Sequence, residues 1–258
     1  MHVLWANGAN SIDGSVYHYF AAGGGTSFSA RDEVDDIPND VFNVEAVGDG
    51  ANLYAYTQEF PGAGGPGIYA YRFSASGPNL TLTGGPTQAA ANKALPKAIR
   101  DVNGGFRMTM VDDSAYPTVD VYVDSSPDGL NWPAPEEQVV SETGVSNWDP
   151  TLIQKPNGQY YLYFAPDAEL GAGSQRVALT KSNDFADWTT AHEITPGKKD
   201  TTKYWDYWPE GFVRQNQIIL FYTSEREVNQ AQTRYPSGVG HIWSDAGFGG
   251  LDHLGPGA

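Results

Sequence analysis

A repeated pair of strands constrains the fold of this chain more than any other feature of the sequence. In its clearest copy, over 148–164, an apolar strand leads through a Pro-Asn-Gly turn into a second apolar strand. The pattern recurs without a gap earlier in the chain, where Pro96 stands 54 positions before Pro150. Two further copies cover 41–56 and 209–222. Four hairpins at a regular spacing predict a fold built from one repeated sheet unit.

A second motif, Ser-x-Asp-x-x-x-Trp, follows two of the hairpins. It covers 126–132 and 182–188, which start 56 residues apart. Weaker versions lie at 22–24, 74–77 and 244–247. Serine and aspartate side chains accept hydrogen bonds from turn N–H groups, and an indole packs well between sheets. We therefore predict that Asp128 and Asp184, with the tryptophans Trp132 and Trp188, are architectural.

Five outer units thus stand against four inner hairpins, and this count predicts how the fold closes. We expect an all-β chain that forms one five-bladed β-propeller domain over 1–258, with four-stranded antiparallel blades. In the simplest arrangement the two ends share a blade, because closure hides the sheet edges. Residues 2–30 then supply its outer strands and residues 251–254 its inner strand. The alternative, a longer N-terminus that carries the inner strand, stays open.

Composition agrees with many short strands and excludes several classes of function. Aromatic residues make up 13% of the chain, which also has 30 glycines and 17 prolines. A net charge of −16 would repel a nucleic-acid backbone, so nucleic acid is not expected as a partner. The absence of cysteine excludes disulfides and cysteine nucleophiles. No apolar run is long enough to cross a bilayer, so no membrane partner is expected either.

Two segments that open inner strands carry a resemblance to a known family. They are Asn147-Trp148-Asp149-Pro150 and Trp208-Pro209-Glu210-Gly211-Phe212-Val213. With them the chain resembles the five-bladed glycoside hydrolases of family 43 and the related fructan-cleaving families 32 and 68. The resemblance implies hydrolysis of glycosidic bonds by three acidic groups in an axial pocket: a general base, an acidity modulator and a general acid.

The resemblance also assigns residues to these catalytic roles. It makes Asp149 the modulator and Glu210 the acid, with Asp206 in reserve. The base is expected among Asp36 and Asp40, with Asp35 and Glu45 as neighbouring alternatives. Strict alignment of the repeat sets Pro209, not Glu210, opposite Asp149, and one residue of shift turns a strand side chain to the other face.

Substrate and ion contacts are predicted around these acids. Aromatic faces can stack on sugar rings, which favours Trp148, Trp205 and Trp208, while Asp206 accepts hydrogen bonds from sugar hydroxyls. Lys97, Arg100 and Glu45 are further candidates for substrate contact. No cofactor is expected to be required; His241 and His253 are candidates for holding a cation, such as a structural calcium ion, near the axis.

The partner that this interpretation implies is an oligosaccharide or glycoside, bound by a monomer. The first residues lack the charged and apolar regions of a signal peptide, so we expect a mature or trimmed form of an extracellular or periplasmic protein. Two alternatives remain open at this stage. One is a non-catalytic, lectin-like propeller that lacks a competent base, and the other is a propeller recruited to lyase or cyclase chemistry.

Overall fold

The computed structural model of this chain describes most of its residues. Described are 1–6, 14–22, 27–60, 67–112, 114, 118–133, 136–141, 144–167, 175–194, 204–227, 234–244 and 252–254. Their regular secondary structure consists of β-strands in antiparallel sheets. The chain divides into two compact units: unit one contains 1–114 and 123–137, and unit two contains 115–122 and 138–258. Within the described ranges, no helix is long and apolar enough to span a membrane.

Three sheets are formed by the first half of the chain, each from strands that follow one another in sequence. The first has three strands, β1 (His2–Ala6), β2 (Val16–Phe20) and β3 (Asp32–Glu33). The second has four, β4 (Val41–Gly48), β5 (Asn52–Glu59), β6 (Gly67–Ser74) and β7 (Thr81–Ala91). The third also has four, β8 (Ala94–Arg100), β9 (Phe106–Asp112), β10 (Asp120–Ser126) and β11 (Glu137–Val140).

Two four-stranded sheets follow in the second half of the chain. One contains β12 (Ser146–Gln154), β13 (Tyr160–Asp167), β14 (Ala178–Ser182) and β15 (His192–Glu193). The other contains β16 (Tyr204–Arg214), β17 (Gln217–Glu227), β18 (Arg234–Ser244) and β19 (Asp252–Leu254). The all-β prediction and the four-stranded antiparallel unit are therefore confirmed. Four described sheets have this form, and the N-terminal sheet has three strands.

The predicted role of the C-terminal segment is wrong. Residues 251–254 were expected to give the inner strand of the N-terminal sheet, but β19 pairs with β18, with His253 opposite Ile242. The connection between β18 and β19 is short, and a short connection favours pairing with the preceding strand over pairing with a distant one.

Each of three first strands begins with the same irregularity at a proline. The strand register shifts between Ala94 and Lys97 in β8, and the same shift occurs in β12 and β16. Proline has no N–H to donate to a ladder, so a bulge is its natural place in a strand. The residue before each proline has a positive φ of 52°; these residues are Leu95, Asp149 and Trp208. Pro209 is therefore equivalent to Pro150, Trp208 to Asp149 and Glu210 to Thr151, which corrects the alignment of Pro209 with Asp149.

The Ser-x-Asp-x-x-x-Trp turns have the architectural role that was predicted. Ser126 Oγ accepts a hydrogen bond from Gly129 N at 2.9 Å and donates one to Asn131 O at 2.5 Å. Asp128 Oδ1 accepts from the N–H groups of Leu130 and Asn131. Burial opposes ionisation of Asp128, but these hydrogen bonds outweigh it and hold the pKa of the carboxyl below its usual value.

The second turn repeats this arrangement. Asp184 accepts from the N–H groups of Ala186 and Asp187. Trp188 packs edge-on against Phe185 with ring centroids 5.6 Å apart, and Trp132 packs in the same way against Tyr56 at 5.6 Å.

Apolar cores fill the spaces on which these turns rest. In unit one the core contains Val16, Val34, Ile37, Val41, Leu53, Ala55, Tyr71 and Phe73. In unit two it contains Ile153, Tyr161, Tyr163, Val177, Leu179, Ile194, Ile218, Leu220 and Tyr222. Second strands contribute to both cores: Leu53 and Ala55 belong to β5, and Tyr161 and Tyr163 belong to β13. Burial of such side chains is the main favourable contribution to the stability of each unit.

A histidine pair links β1 and β2 in the N-terminal sheet. The Nδ1 atom of His2 lies 2.9 Å from the Nε2 atom of His18, and the rings stack with centroids 5.1 Å apart. Burial, followed by the charge of the N-terminus, lowers the pKa of His2; burial, followed by the charge of His2, lowers that of His18. Only one proton can occupy the hydrogen bond between the rings, so the folded pair resists full protonation.

We expect Ser126→Ala to lower the free energy of unfolding by about 1–3 kcal/mol, because it leaves buried backbone groups of the turn without partners. Chemical denaturation measures the change. Ser76→Ala is the matched control, since Ser76 is exposed and lies just before a turn. Equal stability of the two variants would contradict the architectural role.

We expect the free energy of unfolding to fall as the pH drops below about 6.5, because His2 and His18 bind protons less readily when folded than when unfolded. His18→Gln should shrink the difference in stability between pH 8 and pH 5, as measured by urea unfolding at both values. Exposed His192 is the control position, and His192→Gln should keep the wild-type difference. If His18→Gln keeps it as well, the pair is not the titrating group.

Candidate functional site

The bulges that open β12 and β16 define the first part of the candidate site, which lies within unit two. Asp149 and Trp208 occupy the same bulge position, and both have a left-handed backbone with a φ of 52°. Aspartate tolerates this conformation better than most residues, whereas tryptophan rarely adopts it. Backbone strain of this kind is concentrated at binding and catalytic sites, so the two positions are functional candidates on backbone grounds alone.

Glu210 is the first residue of β16 to pair regularly after its bulge, opposite Phe221. Thr151 holds the same place in β12, opposite Tyr163. The two side chains meet, with Thr151 Oγ1 donating to Glu210 Oε2 at 3.4 Å. Thr151 is buried and Glu210 is exposed. The structure thus brings Glu210 beside the start of β12, two residues from Asp149, with its carboxylate open to solvent.

Exposed aromatic side chains accompany these acids. Trp208 is 60% exposed, which is unusual for so large an apolar side chain, and Trp148 is half-buried. Phe212 and Phe221 are 48% and 39% exposed and stack with ring centroids 6.1 Å apart. These faces are suited to stacking against the apolar side of a sugar ring.

Two predicted members of this cluster are only partly described. Trp205 and Asp206 belong to β16 and pair with Glu225 and Ser224 in its register. Their side chains lie outside the described part of the structure, so their roles in substrate contact stay predictions.

A second group of carboxyls lies in unit one, where β4 begins. Asp40 directly precedes β4, and its carbonyl accepts a hydrogen bond from Phe60 N at 3.3 Å. Its Oδ1 atom is buried and has no hydrogen-bond partner among the described residues. Glu59, at the end of β5, is 4% exposed. Asp40 is thus held beside a buried carboxyl at the opening of a first strand.

Hydroxyl groups surround Glu59. Tyr71 Oη donates to Glu59 Oε1 at 2.7 Å, and Thr57 Oγ1 donates to the same oxygen. Burial raises the pKa of Glu59; the hydroxyl hydrogen bonds oppose this shift, and the charge of Asp40 adds to it. The pKa of Tyr71 is raised as well, by burial first and then by Glu59. A carboxyl in such a place is suited to hold a proton that an exposed one would release.

Sequence reasoning missed Glu59. The sequence does contain a signal for a special role of Glu59, because this acidic residue ends an apolar strand, where an acid is unusual. A glutamate in a run of buried positions is rarely accommodated without specific partners.

The predicted cations lie in unit one and are paired. Lys97 Nζ forms an ion pair with Glu45 Oε2 at 3.2 Å, which brings two predicted substrate contacts together. Arg100 lies at the other end of β8, where Nη1 contacts the carbonyl of Asp49 at 3.2 Å and its carboxylate at 3.6 Å. Lys97 is therefore near the bulge of β8, and Arg100 is near the hairpin turn.

The remaining predicted residues are not brought together with these clusters. Asp36 is exposed in a turn, as is Asp35. His241 pairs with Leu254, and His253 pairs with Ile242, so the two histidines hold successive register positions on third and fourth strands. The side chains of both histidines lie outside the described part of the structure, so their role in holding a cation stays a prediction. Among the residues searched, those that the structure describes, no group of three or more acidic or histidine side chains could hold a metal ion.

Each cluster has a distinct chemical capacity. In unit two, an exposed carboxylate, a second acid in a strained bulge and an exposed indole combine proton transfer with a stacking surface. In unit one, the charge of Asp40 adds to the effect of burial and helps the Glu59 carboxyl to hold a proton.

Comparisons with known proteins establish the fold. No family model matches the sequence, and no curated protein is similar to it. Among solved structures, the chain is similar to the α-L-arabinanase of Penicillium chrysogenum complexed with arabinobiose, at 15% identity and a TM-score of 0.59. That match covers 78% of this chain and 61% of the arabinanase, so the chain spans less than two thirds of its length.

Two more matches extend over nearly all of both chains. A thermostable family-43 glycoside hydrolase has 12% identity and a TM-score of 0.57, with 99% of this chain and 94% of that one covered. The endo-arabinase of Bacteroides thetaiotaomicron has 11% identity and a TM-score of 0.62, with coverage of 95% and 90%. At these identities the similarity shows the fold, which is an all-β propeller with four-stranded antiparallel blades.

Glu59→Gln tests the buried carboxyl. Because the folded pKa of Glu59 is raised above its ordinary 4.5, the folded protein loses stability as the pH rises through the range above that value. The neutral amide removes this loss, so the variant should gain stability relative to the wild type between pH 4.5 and pH 8, measured by urea unfolding. Exposed Glu137 serves as the control, and Glu137→Gln should follow the wild-type curve. A Glu59→Gln curve parallel to the wild type would contradict the raised pKa.

Proposed function

We propose that this protein is a glycoside hydrolase that cleaves glycosidic bonds by carboxylate acid and base catalysis. One observation carries the proposal: two acids stand at matching openings of neighbouring first strands in unit two, with Glu210 Oε2 3.4 Å from Thr151 Oγ1 and Asp149 in the preceding bulge. Hydrolysis of a glycosidic bond requires one carboxyl that gives a proton and another that activates water or attacks the sugar.

In this mechanism Glu210 is the general acid. Its exposed carboxyl protonates the leaving glycosidic oxygen, and Asp149 has the modulator role that the family resemblance implies. Thr151 positions the Glu210 carboxylate through its hydroxyl. Trp208 stacks on a sugar ring and orients the scissile bond.

Asp40 is the base that the sequence resemblance predicts, in the role of accepting a proton from the water that attacks the anomeric carbon. Its buried Oδ1 atom has no hydrogen-bond partner among the described residues of unit one. Asp36, which is exposed in a turn, is the weaker of the two predicted bases because no described contact holds its carboxylate in place.

The substrate class is proposed from the named neighbours. Two of them are described as arabinanases and a third as a family-43 glycoside hydrolase. Arabinose-containing glycans are therefore the first substrates to test, followed by xylose- and fructose-containing ones. Secretion, a monomeric state and a structural calcium ion remain predictions from the sequence.

A fifth blade belongs to the proposal as well. Val34 N donates to Val16 O at 2.9 Å, and Ile194 N donates to Val177 O at 2.8 Å in the β12–β15 sheet. The two hydrogen bonds have matching positions, which makes β2 equivalent to β14 and β3 equivalent to β15. On this comparison β2 and β3 are the third and fourth strands of a blade whose second strand is β1.

Turnover of nitrophenyl α-L-arabinofuranoside and β-D-xyloside, linear arabinan and levan tests the proposal. We expect the wild type to release product from at least one, and Glu210→Gln, Asp149→Asn and Asp40→Asn each to lower kcat/KM by about 100-fold or more, because each removes a proton-transfer or charge-stabilising group. Glu137→Gln, an exposed carboxyl change on β11, should leave it unchanged.

The exposure of Trp208 also favours a second function, a carbohydrate-binding propeller without catalysis. Binding of the same oligosaccharides by calorimetry separates the two. Binding that is lost in Trp208→Ala, with no turnover by the wild type, would identify a lectin. Turnover that survives all three acid substitutions would contradict the catalytic assignment.

A further inference from the structure

Lys155, at the turn that follows β12, has a buried amino group for which the described residues supply no counter-ion. The residue is 1% exposed, and the described part of the chain supplies no hydrogen-bond acceptor for its Nζ atom. The atom lies 5.3 Å from the centroid of the Tyr161 ring. A ring face attracts a cation, but weakly compared with the cost of removing an ammonium ion from water. Among the residues that the structure describes, little therefore compensates the charge of Lys155.

A second lysine lies against the same ring. Lys181, on β14, is directly opposite Tyr161 in the strand register, and its Nζ atom is 5.6 Å from the ring centroid. Burial lowers the pKa of Lys181, and the neighbouring charge of Lys155 lowers it further. Two ammonium groups therefore share one aromatic ring and repel each other, which makes the place attractive to an anion.

The repeat shows what is missing at this place. Lys155 and Tyr161 stand 54 residues after Asp101 and Arg107. In the earlier turn the Asp101 carboxylate, 1% exposed, accepts from Arg107 Nε at 3.0 Å. It also accepts from Asn103 N at 2.7 Å. The earlier turn therefore buries a carboxylate against a cation, whereas the later turn places a cation where that carboxylate would be.

The later turn does not use Lys155 to hold its backbone. Asn157 Oδ1 accepts from Gln159 N at 3.1 Å and so replaces the turn-capping role of Asp101. The lysine side chain is therefore not needed for the turn. Burying a hydrophobic side chain at this position would cost less free energy than burying an ammonium group.

We propose that Lys155 and Lys181, with the ring of Tyr161 between β12 and β14, bind a small anion that carries a carboxylate or a comparable oxyanion group. The anion supplies a negative charge beside the lysines, as Asp101 supplies one beside Arg107 in the earlier turn. It enters beside Gln159, whose side chain accepts from Tyr161 Oη at 2.6 Å and donates to Asn183 Oδ1 at 3.0 Å in a solvent-exposed hydrogen bond. The amide of Gln159 is a further donor to the anion once this bond opens.

This site is separate from the candidate catalytic residues and does not depend on the proposed function. Asp149 lies in the bulge near the start of β12, and Lys155 lies in the turn beyond its end, six positions later in the sequence. An acidic sugar, a free carboxylic acid and an inorganic oxyanion share the required chemistry, and the experiment distinguishes among them.

Thermal unfolding of the full chain, at constant ionic strength set with chloride, tests the proposal. Sodium acetate, sodium glucuronate and sodium sulfate are titrated in separate series. We expect a saturable rise in Tm with at least one anion in the wild type, at least a tenfold weaker response in Lys181→Gln, and no saturable response in Lys155→Met. A response to acetate or glucuronate identifies a carboxylate ligand, and a response to sulfate alone identifies an inorganic oxyanion.

Lys93→Met is the matched control, since Lys93 is a buried lysine that is paired with Asp112 at 3.3 Å. It should keep the anion response. Titration of the lysine side-chain ¹⁵N resonances by NMR provides a readout that does not depend on stability, and the Lys155 resonance should shift with the same anion. A Tm that rises without saturation and equally in wild type and Lys155→Met, with no shift of that resonance, would overturn the proposal.

Discussion

The missing N–H group of proline governs the geometry of the candidate site. A strand cannot continue its hydrogen-bond ladder through Pro96, Pro150 or Pro209, so β8, β12 and β16 each open with a bulge. The residue before the proline then has a left-handed backbone conformation. Its side chain no longer follows the regular alternation of side chains between the two faces of the sheet. One backbone feature thus presents a different side chain in each sheet. It presents Leu95 in β8 but Asp149 and Trp208 in the sheets of unit two, so chemistry can change while the scaffold stays the same.

Much of the fold could be predicted from the sequence because its signals are local. The hairpins depend on turn residues and alternating apolar positions, and the Ser-x-Asp turns depend on side chains two or three positions from the N–H groups they bind. The offset of β16 was missed for a physical reason. The β16–β17 hairpin has a shorter turn than the β12–β13 hairpin, so a constant residue count from Asp149 does not lead to its structural equivalent. Pairing of β19 was missed because ring closure and a local return strand have similar sequence patterns.

The candidate site was predictable only in part. Asp149 and Glu210 stand in a recognisable sequence context, and the structure brings Glu210 to the opening of β12 through Thr151. Glu59 and Lys155 have no such context. Their importance comes from burial, since each is less than 5% exposed, and burial depends on what the rest of the chain packs around them. The sequence alone does not show whether a charged side chain contacts water or packs against an aromatic ring.

Every described sheet is made of strands that are consecutive in the chain, including the last, where β19 returns to β18. During synthesis each sheet can therefore be completed as soon as its own strands leave the ribosome, without waiting for a distant partner. Contacts that are local in sequence also form quickly, which limits the time that unpaired strand edges are exposed to other chains. For an all-β chain this order of assembly offers protection from aggregation before the whole protein has been made.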